Sequence, residues 1–408
     1  MSTLWRDAMS RALYGPGGFF VTGTGPADHF RTSVHASPAF ATAVLRLISE
    51  VDTALDHPPR LDVVDVGAGR GELLHSLLRL VAAEPAVGVA VGVSARPLGE
   101  EPSSGTVRPS LAERVRFRAV EYADRPKNLP EEINWTAEIP TKITGVLLAT
   151  EWLDNVPLDV AVNTEDGWRY VLVDPENGTE TVGDPLSPAD LDWLTRWWPS
   201  PTSPPSTDSE PDRGVTSTGA TSESESGFGA ARPAQGSSLT ARSRPGCPET
   251  PHSNHPRAEI GRSRDEAWAN AVQKIERGIA VAVDYGHLRD SRPANGTLTG
   301  YRAGRQVPPV PDGASDVTAH VAMDSVASAG AAVARCAYSL VSQREALRAL
   351  GADGGRPPIG LAGTDPAGYV RALAAASAVA ELTDPAGLGG HLWLRQPVGI
   401  PLGPAVAR

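Results

Sequence analysis

The sequence of 408 residues predicts an α/β fold organised around a mostly parallel sheet. The first observation is an apolar run, residues 61–66, that passes through three alternating glycines into the leucine-rich segment 72–81. This succession is typical of a strand, a tight loop and a helix. The second observation is that further apolar runs alternate along the chain with helical patterns. Their residues are apolar without interruption, as in strands that are buried on both faces of a parallel sheet. These runs are 86–93, 115–120, 143–149 and 279–283.

An N-terminal helical segment, 1–58, precedes the first of these strands. Residues 3–14 have helical spacing and end at the sequence Gly-Pro-Gly-Gly. A second helix is predicted after Ser37, because serine is a good N-cap and Pro38 suits the first helical position. The segment is therefore expected to place two helices before the sheet begins.

The glycine loop predicts a ligand site. Gly67, Gly69 and Gly71 lack the Cβ atoms that would hold a ligand away from the backbone, and they permit positive φ. Their G-x-G-x-G spacing differs from the dinucleotide fingerprint, and no phosphate-loop Gly-Lys-Ser/Thr follows. The spacing, after an acid at Asp65, is usual in class I methyltransferases that use S-adenosylmethionine (SAM). The alternative is a glycine-rich turn that binds nothing.

An acid that holds ribose hydroxyls is expected at the end of the strand beside such a loop. The run 86–93 ends in Val91-Gly92-Val93-Ser94, without an acid. Glu121 and Asp124 follow the strand 115–120. They could meet an adenine amino group or lie in solvent, and the sequence favours solvent.

Two acids three residues apart, Glu151 and Asp154, follow the strand 143–149. The carboxyl ends of strands in open α/β sheets are where ligands bind, and Pro157 limits the segment to a single turn. Paired acids at this edge suit a cationic substrate. The alternative is a helix-capping Asp154 with a solvated Glu151.

The rest of the chain predicts an inserted hairpin, a linker and a second core segment. Residues 158–174 contain Asp166-Gly167, a hairpin signal, and a tryptophan-rich helix follows at 191–198. Residues 199–256 are rich in Pro, Ser and Thr and are predicted to be a disordered linker. The predicted domains are thus 1–58, a core segment 59–198, the linker 199–256, and a second core segment 257–408. In the last, Gly278 is expected to end a helix over 264–277.

Composition narrows the function classes. The net charge of -11 argues against a basic nucleic-acid surface. Two cysteines indicate neither a disulfide framework nor a metal cluster, and no metal site is predicted. The sequence shows no signal peptide and no apolar run long enough to span a membrane, so a cytoplasmic location without membrane insertion is expected.

Taken together, these segments resemble the MidA family of class I SAM-dependent methyltransferases, which includes a mitochondrial enzyme that assists respiratory complex I assembly. Three departures are Gly92, where the family commonly has Glu, Thr150, where it has Asn, and Thr299, where it has a basic residue. The resemblance covers nearly the whole chain outside the linker and rests on residues 9–16, 30–33, 65–71, 151–157, 284–286, 297–298, 316–321 and 342–343.

The resemblance implies a Rossmann-like, seven-stranded, mostly parallel sheet with helices on both faces. It implies SAM as cofactor, bound by Thr32, Asp65 and the three loop glycines, with Glu151 and Asp154 as catalytic residues. Asp284 and Asp316 would be supporting acids and His320 a weaker candidate. The implied acceptor is a protein nitrogen, arginine in the mitochondrial member, and a respiratory-complex subunit is one such substrate.

Two other functions stay open from the sequence. One is a non-catalytic assembly factor that keeps the fold but has lost SAM affinity, which the acid-free residues 91–94 favour. The other is an NAD(P)-dependent oxidoreductase on a similar sheet, which the G-x-G-x-G spacing disfavours.

Overall fold

The computed structural model describes residues 1–22, 32–83, 109–198, 255–352 and 354–401. In those ranges no helix has the length and apolar character needed to cross a membrane. The elements up to residue 198 are β1 (Thr3–Leu4), α1 (Trp5–Tyr14), α2 (Phe19–Thr22), α3 (Ser33–Ala36), α4 (Pro38–Ala54), β2 (Leu61–Val66), α5 (Glu72–Ala83), α6 (Leu111–Arg114), β3 (Val115–Val120), β4 (Ile133–Thr136), β5 (Ile143–Thr150), β6 (Asp159–Thr164), β7 (Gly167–Val173), β8 (Glu180–Pro185) and α7 (Pro188–Trp197).

The second part of the chain begins at residue 255 and returns to the same compact unit. Its elements are β9 (Arg257–Ile260), α8 (Arg262–Gln273), β10 (Ile275–Asp284), β11 (Gly286–His287), β12 (Thr299–Arg302), β13 (Arg305–Val307), β14 (Asp316–Thr318), β15 (Val321–Ala322), α9 (Met323–Ala334), β16 (Ser339–Ser342), α10 (Gln343–Ala349), α11 (Gly360–Thr364), α12 (Pro366–Leu382) and β17 (Leu392–Val398).

The main sheet has seven strands in the order β16-β17-β10-β5-β2-β3-β4. The strands from β10 to β4 pair in parallel, and β17 is antiparallel to both of its neighbours. This matches the mostly parallel sheet predicted from the apolar runs. The glycine-loop strand β2 lies at the centre, with β5 on one side and β3 on the other.

Helices cover both faces of the sheet. Successive side chains of β2 point to opposite faces, and each face packs against its own apolar cluster. Val63 packs in the cluster that contains Phe40 and Leu47 of α4, and Val64 packs in the cluster that contains Trp268 of α8. All five side chains are almost fully buried. Burial of each stabilises the fold by roughly 1.5–3 kcal/mol, so α4 and α8 fix the sheet between them.

Gly278 lies inside β10 and does not end a helix, contrary to the prediction. It pairs with Gly145 of β5, and both have φ near 143–144°. A Cβ atom on either glycine would collide with the backbone of the neighbouring strand. The glycine therefore serves close strand contact, and α8 ends earlier, at Gln273.

A second sheet carries the predicted hairpin, β6 and β7, in the order β1-β7-β6-β9 with β8 beside β7. The N-terminal helix α1 packs Trp5, Met9 and Leu13 against its apolar face. Strand β9, which follows residue 254, pairs with β6. The sheet therefore joins chain segments from both sides of residues 199–254, and the predicted linker over those residues lies outside the described part of the chain.

Candidate active site

A cavity of about 1270 Å³ lies at the carboxyl ends of β2, β3, β5 and β10. The predicted catalytic and cofactor-binding residues all line it: Thr32, Asp65, Gly67, Gly69, Gly71, Glu151 and Asp154. Of the supporting candidates, Asp316 and His320 line it, and Asp284 lies buried behind it. The structure thus brings the glycine loop and the paired acids to one space. Such a position, at the carboxyl edge of a parallel sheet, is where α/β folds bind their ligands.

The glycine loop needs its glycines for two reasons. Gly67, Gly69 and Gly71 have φ of 71°, 58° and 80°, a region that favours glycine. A Cβ atom on Gly67 would lie 2.8 Å from the indole of Trp152, and one on Gly71 would lie 2.8 Å from a Leu129 methyl. Larger residues would therefore push Trp152 and Leu129 away from the loop.

Glu121 closes the far side of the loop, and the prediction that it lies in solvent is wrong. Its Oε2 accepts a hydrogen bond from the Gly69 amide at 3.0 Å, and its Oε1 accepts one from the Tyr122 amide at 2.7 Å. Burial raises the pKa of the Glu121 carboxyl, although these amides oppose the shift. Because β3 is the direct neighbour of β2, Glu121 occupies the place expected for the ribose-binding acid.

The sequence predicts this acid at the end of the run 86–93, where none is present. Those residues lie outside the described part of the chain. Both edges of β2 are taken by β3 and β5, so the acid beside the glycine loop comes from β3.

Asp65 and Thr32 are buried in the wall beside the glycine loop. Burial, together with the nearby Glu72 and Glu121 carboxyls, raises the pKa of Asp65 to about 8. Thr32 immediately precedes α3 in an extended conformation. Both residues therefore present polar atoms to a largely desolvated part of the cavity.

Glu151 has an unusual backbone conformation for its residue type, with φ of 52°. Its amide donates to Val283 O at 2.8 Å, and its Oε1 accepts from the Ser33 amide at 2.9 Å. A left-handed non-glycine residue costs on the order of 1–3 kcal/mol and is found preferentially at functional sites. The contacts hold the carboxylate at the end of β5, in the cavity wall.

Asp154 is 2% exposed and receives two hydroxyl hydrogen bonds on the same oxygen. Thr318 Oγ1 donates to Asp154 Oδ2 at 2.8 Å, and the Tyr285 hydroxyl donates to it as well. Its Oδ1 is buried without a hydrogen-bond partner among the described residues. Burial raises the pKa of Asp154, against the two hydroxyl donors and the Arg264 charge. The orphan oxygen and the raised pKa suit a group that takes up a proton.

Asp284 and Asp316 support this acid. Asp284 Oδ2 accepts from the amides of Leu153 at 3.0 Å and Asp154 at 3.2 Å, so it fixes the turn that carries Asp154. Asp316 accepts from Asn155 Nδ2 at 2.7 Å, and burial raises its pKa to about 8. Burial and the neighbouring carboxyls raise the pKa of Asp284 well above its ordinary value.

Tyr285 stands between two histidines. Its ring centroid lies 5.2 Å from that of His320 and 5.4 Å from that of His391. Burial lowers the pKa of His391 to about 4, and partial desolvation by the cavity walls lowers that of His320. His320, predicted as a weaker candidate, therefore lies in the wall as a neutral imidazole at pH 7.

Three residues of the site were not predicted from the sequence: Tyr14, Tyr285 and His391. The Tyr14 hydroxyl donates to Asn155 O at 3.2 Å, and its ring lies edge-on to Tyr122 with centroids 5.6 Å apart. Tyr285 directly follows Asp284 at the end of β10, a position that could have indicated a site residue. Tyr14 lies within residues 9–16, which contribute to the family resemblance, but a tyrosine at the end of an amphipathic helix more often packs, so the motif alone does not assign it to the site.

The cavity is strongly acidic. Arg70 and Lys274 are the Arg and Lys residues among its described lining residues, and the acidic ones are Asp65, Glu72, Glu121, Asp124, Glu138, Glu151, Asp154 and Asp316. Clefts lined by one sign of charge concentrate ligands of the opposite sign. Asp65 and Asp316, with pKa values of about 8, are mostly uncharged at pH 7, but the other six acids still outnumber the two basic residues. The electrostatics therefore favour a cationic ligand, a cationic substrate, or both.

The chain is similar to a known protein family and to solved structures. A family model described as "Putative S-adenosyl-L-methionine-dependent methyltransferase" matches residues 43–340. A crystal structure of a Burkholderia thailandensis protein bound to S-adenosyl-homocysteine has a TM-score of 0.66 at 20% identity, covering 100% of this chain and 91% of that one. A native structure of an uncharacterised protein from the same organism has a TM-score of 0.64 at 21% identity, covering 100% and 90%. No match was found among curated proteins.

Proposed function

Because the chain belongs to this family of SAM-dependent methyltransferases, we propose that it transfers the methyl group of SAM to a protein side-chain nitrogen, with arginine as the acceptor. SAM is the cofactor of the family. The MidA family is the branch to which we assign the chain, on the motifs given above. A cytoplasmic location and a respiratory-complex subunit as substrate extend the same proposal.

The cofactor half of the cavity fits SAM. The glycine loop leaves its backbone accessible around Gly69, where a Cβ atom would meet only the Glu72 carboxylate within 4 Å. Glu121 would hold the ribose hydroxyls, while Asp65, Thr32 and the loop glycines would contact the amino-acid end. When bound, SAM supplies an electrophilic methyl group. With Glu121 in this role, the absence of an acid at residues 91–94 no longer favours a non-catalytic assembly factor.

The single observation that carries the proposal is the orphan Oδ1 of the buried Asp154 in an acidic cavity. A guanidinium must lose a proton as its nitrogen is methylated, and a carboxylate of raised pKa is suited to accept it. Glu151 and Asp154 would orient the guanidinium, and Asp154 would take the proton. Since methyl transfer needs little activation by the protein, positioning by these acids is the main contribution.

The experiment that tests the function measures methyl transfer from labelled SAM to an arginine peptide, with the lysine version of the same peptide as the comparison. We expect transfer to arginine and at least tenfold less to lysine, because two carboxylates match the planar guanidinium fork. Equal transfer to both peptides would contradict the arginine assignment. Tight SAM binding with no transfer to either would contradict the protein-nitrogen proposal as a whole.

Glu121→Ala is expected to weaken SAM binding about 10- to 100-fold, because a hydrogen bond to a charged group contributes about 1.5–3 kcal/mol. Calorimetric titration of SAM measures the dissociation constant. Glu132→Ala, at an exposed position before β4, is the matched control. Unchanged SAM affinity in Glu121→Ala would remove Glu121 from the cofactor site.

Tyr285→Phe is expected to move the acidic limb of the pH profile of kcat/KM to higher pH. The Tyr285 hydroxyl donates to the Asp154 carboxylate and so lowers its pKa. Its removal raises that pKa, and the deprotonated base is then lost at a higher pH as the pH falls. Tyr338→Phe, exposed and outside the cavity, should leave the profile in place. An unmoved limb in Tyr285→Phe would mean that Asp154 does not control it.

A further inference from the structure

A second, smaller cavity of about 450 Å³ opens at the acceptor end of the first. We call it the loop groove, because one wall is the segment 385–390. Tyr285, His320, Leu388 and His391 line both cavities, so the groove and the main cavity share a wall. Since the hydroxyl of Tyr285 bonds to Asp154, the groove begins one side chain away from the candidate base.

The two cavities differ in charge. None of the described residues that line the loop groove is Asp, Glu, Lys or Arg, whereas the main cavity is acidic. His391 has its pKa lowered to about 4 by burial, and is therefore neutral at pH 7. The acidic main cavity attracts a basic side chain. The described lining residues of the loop groove carry no charge at pH 7, so they favour uncharged residues next to that basic side chain.

The groove is also lined by small residues. Ala386, Gly387 and Gly390 are exposed along its loop wall. Because these side chains are small, the main chain of a bound peptide can lie close to this wall.

The main cavity alone exceeds the roughly 300–1,000 Å³ of ordinary small-molecule sites, and the groove adds to it. We propose that the loop groove holds the uncharged, small residues that flank the basic acceptor of a protein substrate, in extended conformation. This proposal rests on the proposed function, and it identifies the substrate as a flexible segment, such as a glycine-rich one, rather than a folded surface.

The test uses a fluorescein-labelled peptide, Gly-Gly-Gly-Arg-Gly-Gly-Gly, and the full chain saturated with S-adenosyl-homocysteine. Anisotropy measures peptide binding to the wild type and to Ala386→Trp, whose indole would fill the groove. Ala375→Trp, at an exposed position of α12 away from both cavities, is the matched control. We expect at least tenfold weaker peptide binding in Ala386→Trp, wild-type binding in Ala375→Trp, and SAM affinity within about twofold in both.

Two variants of opposite charge at residue 386 test the groove even if the tryptophan variant does not fold. Ala386→Arg should weaken binding of the cationic peptide and Ala386→Asp should strengthen it, and misfolding cannot produce opposite shifts. The loop groove is overturned if the wild type does not bind the peptide, or if the two charged variants bind it alike. Peptide binding with these opposite shifts but without methyl transfer would support the groove and refute arginine methylation, so the two failures are distinguishable.

Discussion

Asp154→Asn is expected to lower kcat/KM for methyl transfer by about 10²- to 10⁴-fold, the usual contribution of a positioned general base. Asparagine keeps the shape of the side chain and can still accept from Thr318 and Tyr285. It cannot take up a proton. SAM affinity should therefore stay within about threefold, because the glycine loop and Glu121 are unchanged.

The loss in Asp154→Asn should come with unchanged or higher stability. Burial raises the pKa of Asp154, which means that its ionised form is costly in the folded protein, and a neutral isostere removes that cost. Asp192→Asn, exposed on α7, is the matched control for activity and stability. Activity retained in Asp154→Asn and lost in Glu151→Gln would transfer the role of base to Glu151.

Much of this site could be predicted from the sequence because its signals are local. The strand, glycine loop and helix around Asp65 and the turn around Asp154 each lie within a dozen residues. Their backbone conformations follow from residue type, as the positive φ of Gly67 and Gly71 shows. The glycine loop and the turn around Asp154 each follow the carboxyl end of a parallel strand. This position alone predicts that they lie close together.

Glu121 was misjudged because strand neighbours are not a local property. Its side chain meets the glycine loop, partly buried, only because β3 pairs with β2, and residues 115–124 alone do not determine that pairing. The helix α9 was missed for a different reason: its alanine, serine and glycine residues give a weak apolar stripe, and packing against α8 forms it. Gly278 was predicted to end a helix. In the structure, a glycine is required there because the backbone of Gly145 lies too close for a side chain.

The acceptor half of the site depends on one buried cation, Arg264 at the start of α8. It is 1% exposed, and its guanidinium donates to four backbone carbonyls. Nε reaches Val156 O at 3.1 Å, and Nη1 reaches Ala319 O at 2.9 Å and His320 O at 3.0 Å. Nη2 donates to Asp154 O. One side chain therefore joins the acid turn after β5 to the segment after β14.

Arg264→Met is expected to destabilise the folded protein by about 3–5 kcal/mol, the cost of breaking a buried charged network from one side. Methionine fills much of the volume but removes the Arg264 donor from the carbonyls of Val156, Ala319 and His320, while Asp154 O keeps its bonds from the Ala319 amide and the Thr318 hydroxyl. It also removes the positive charge that opposes the rise in the pKa of Asp154 and Asp284. Chemical denaturation followed by tryptophan fluorescence measures the change.

Arg262→Met compares this network with an arginine that is only partly buried. Arg262 lies two residues earlier on the same helix, bonds to Asp190 and Glu266, and keeps 35% of its side chain exposed. Its loss should cost about 1–2 kcal/mol, less than the loss of Arg264, because the buried Asp190 keeps its hydrogen bonds from Tyr170 and Ser187. Equal destabilisation by the two substitutions would mean that the carbonyls near Arg264 find other donors. The acid turn would then be held by Asp284 and the sheet alone, and Arg264 would contribute no more to the acceptor site than a partly buried arginine.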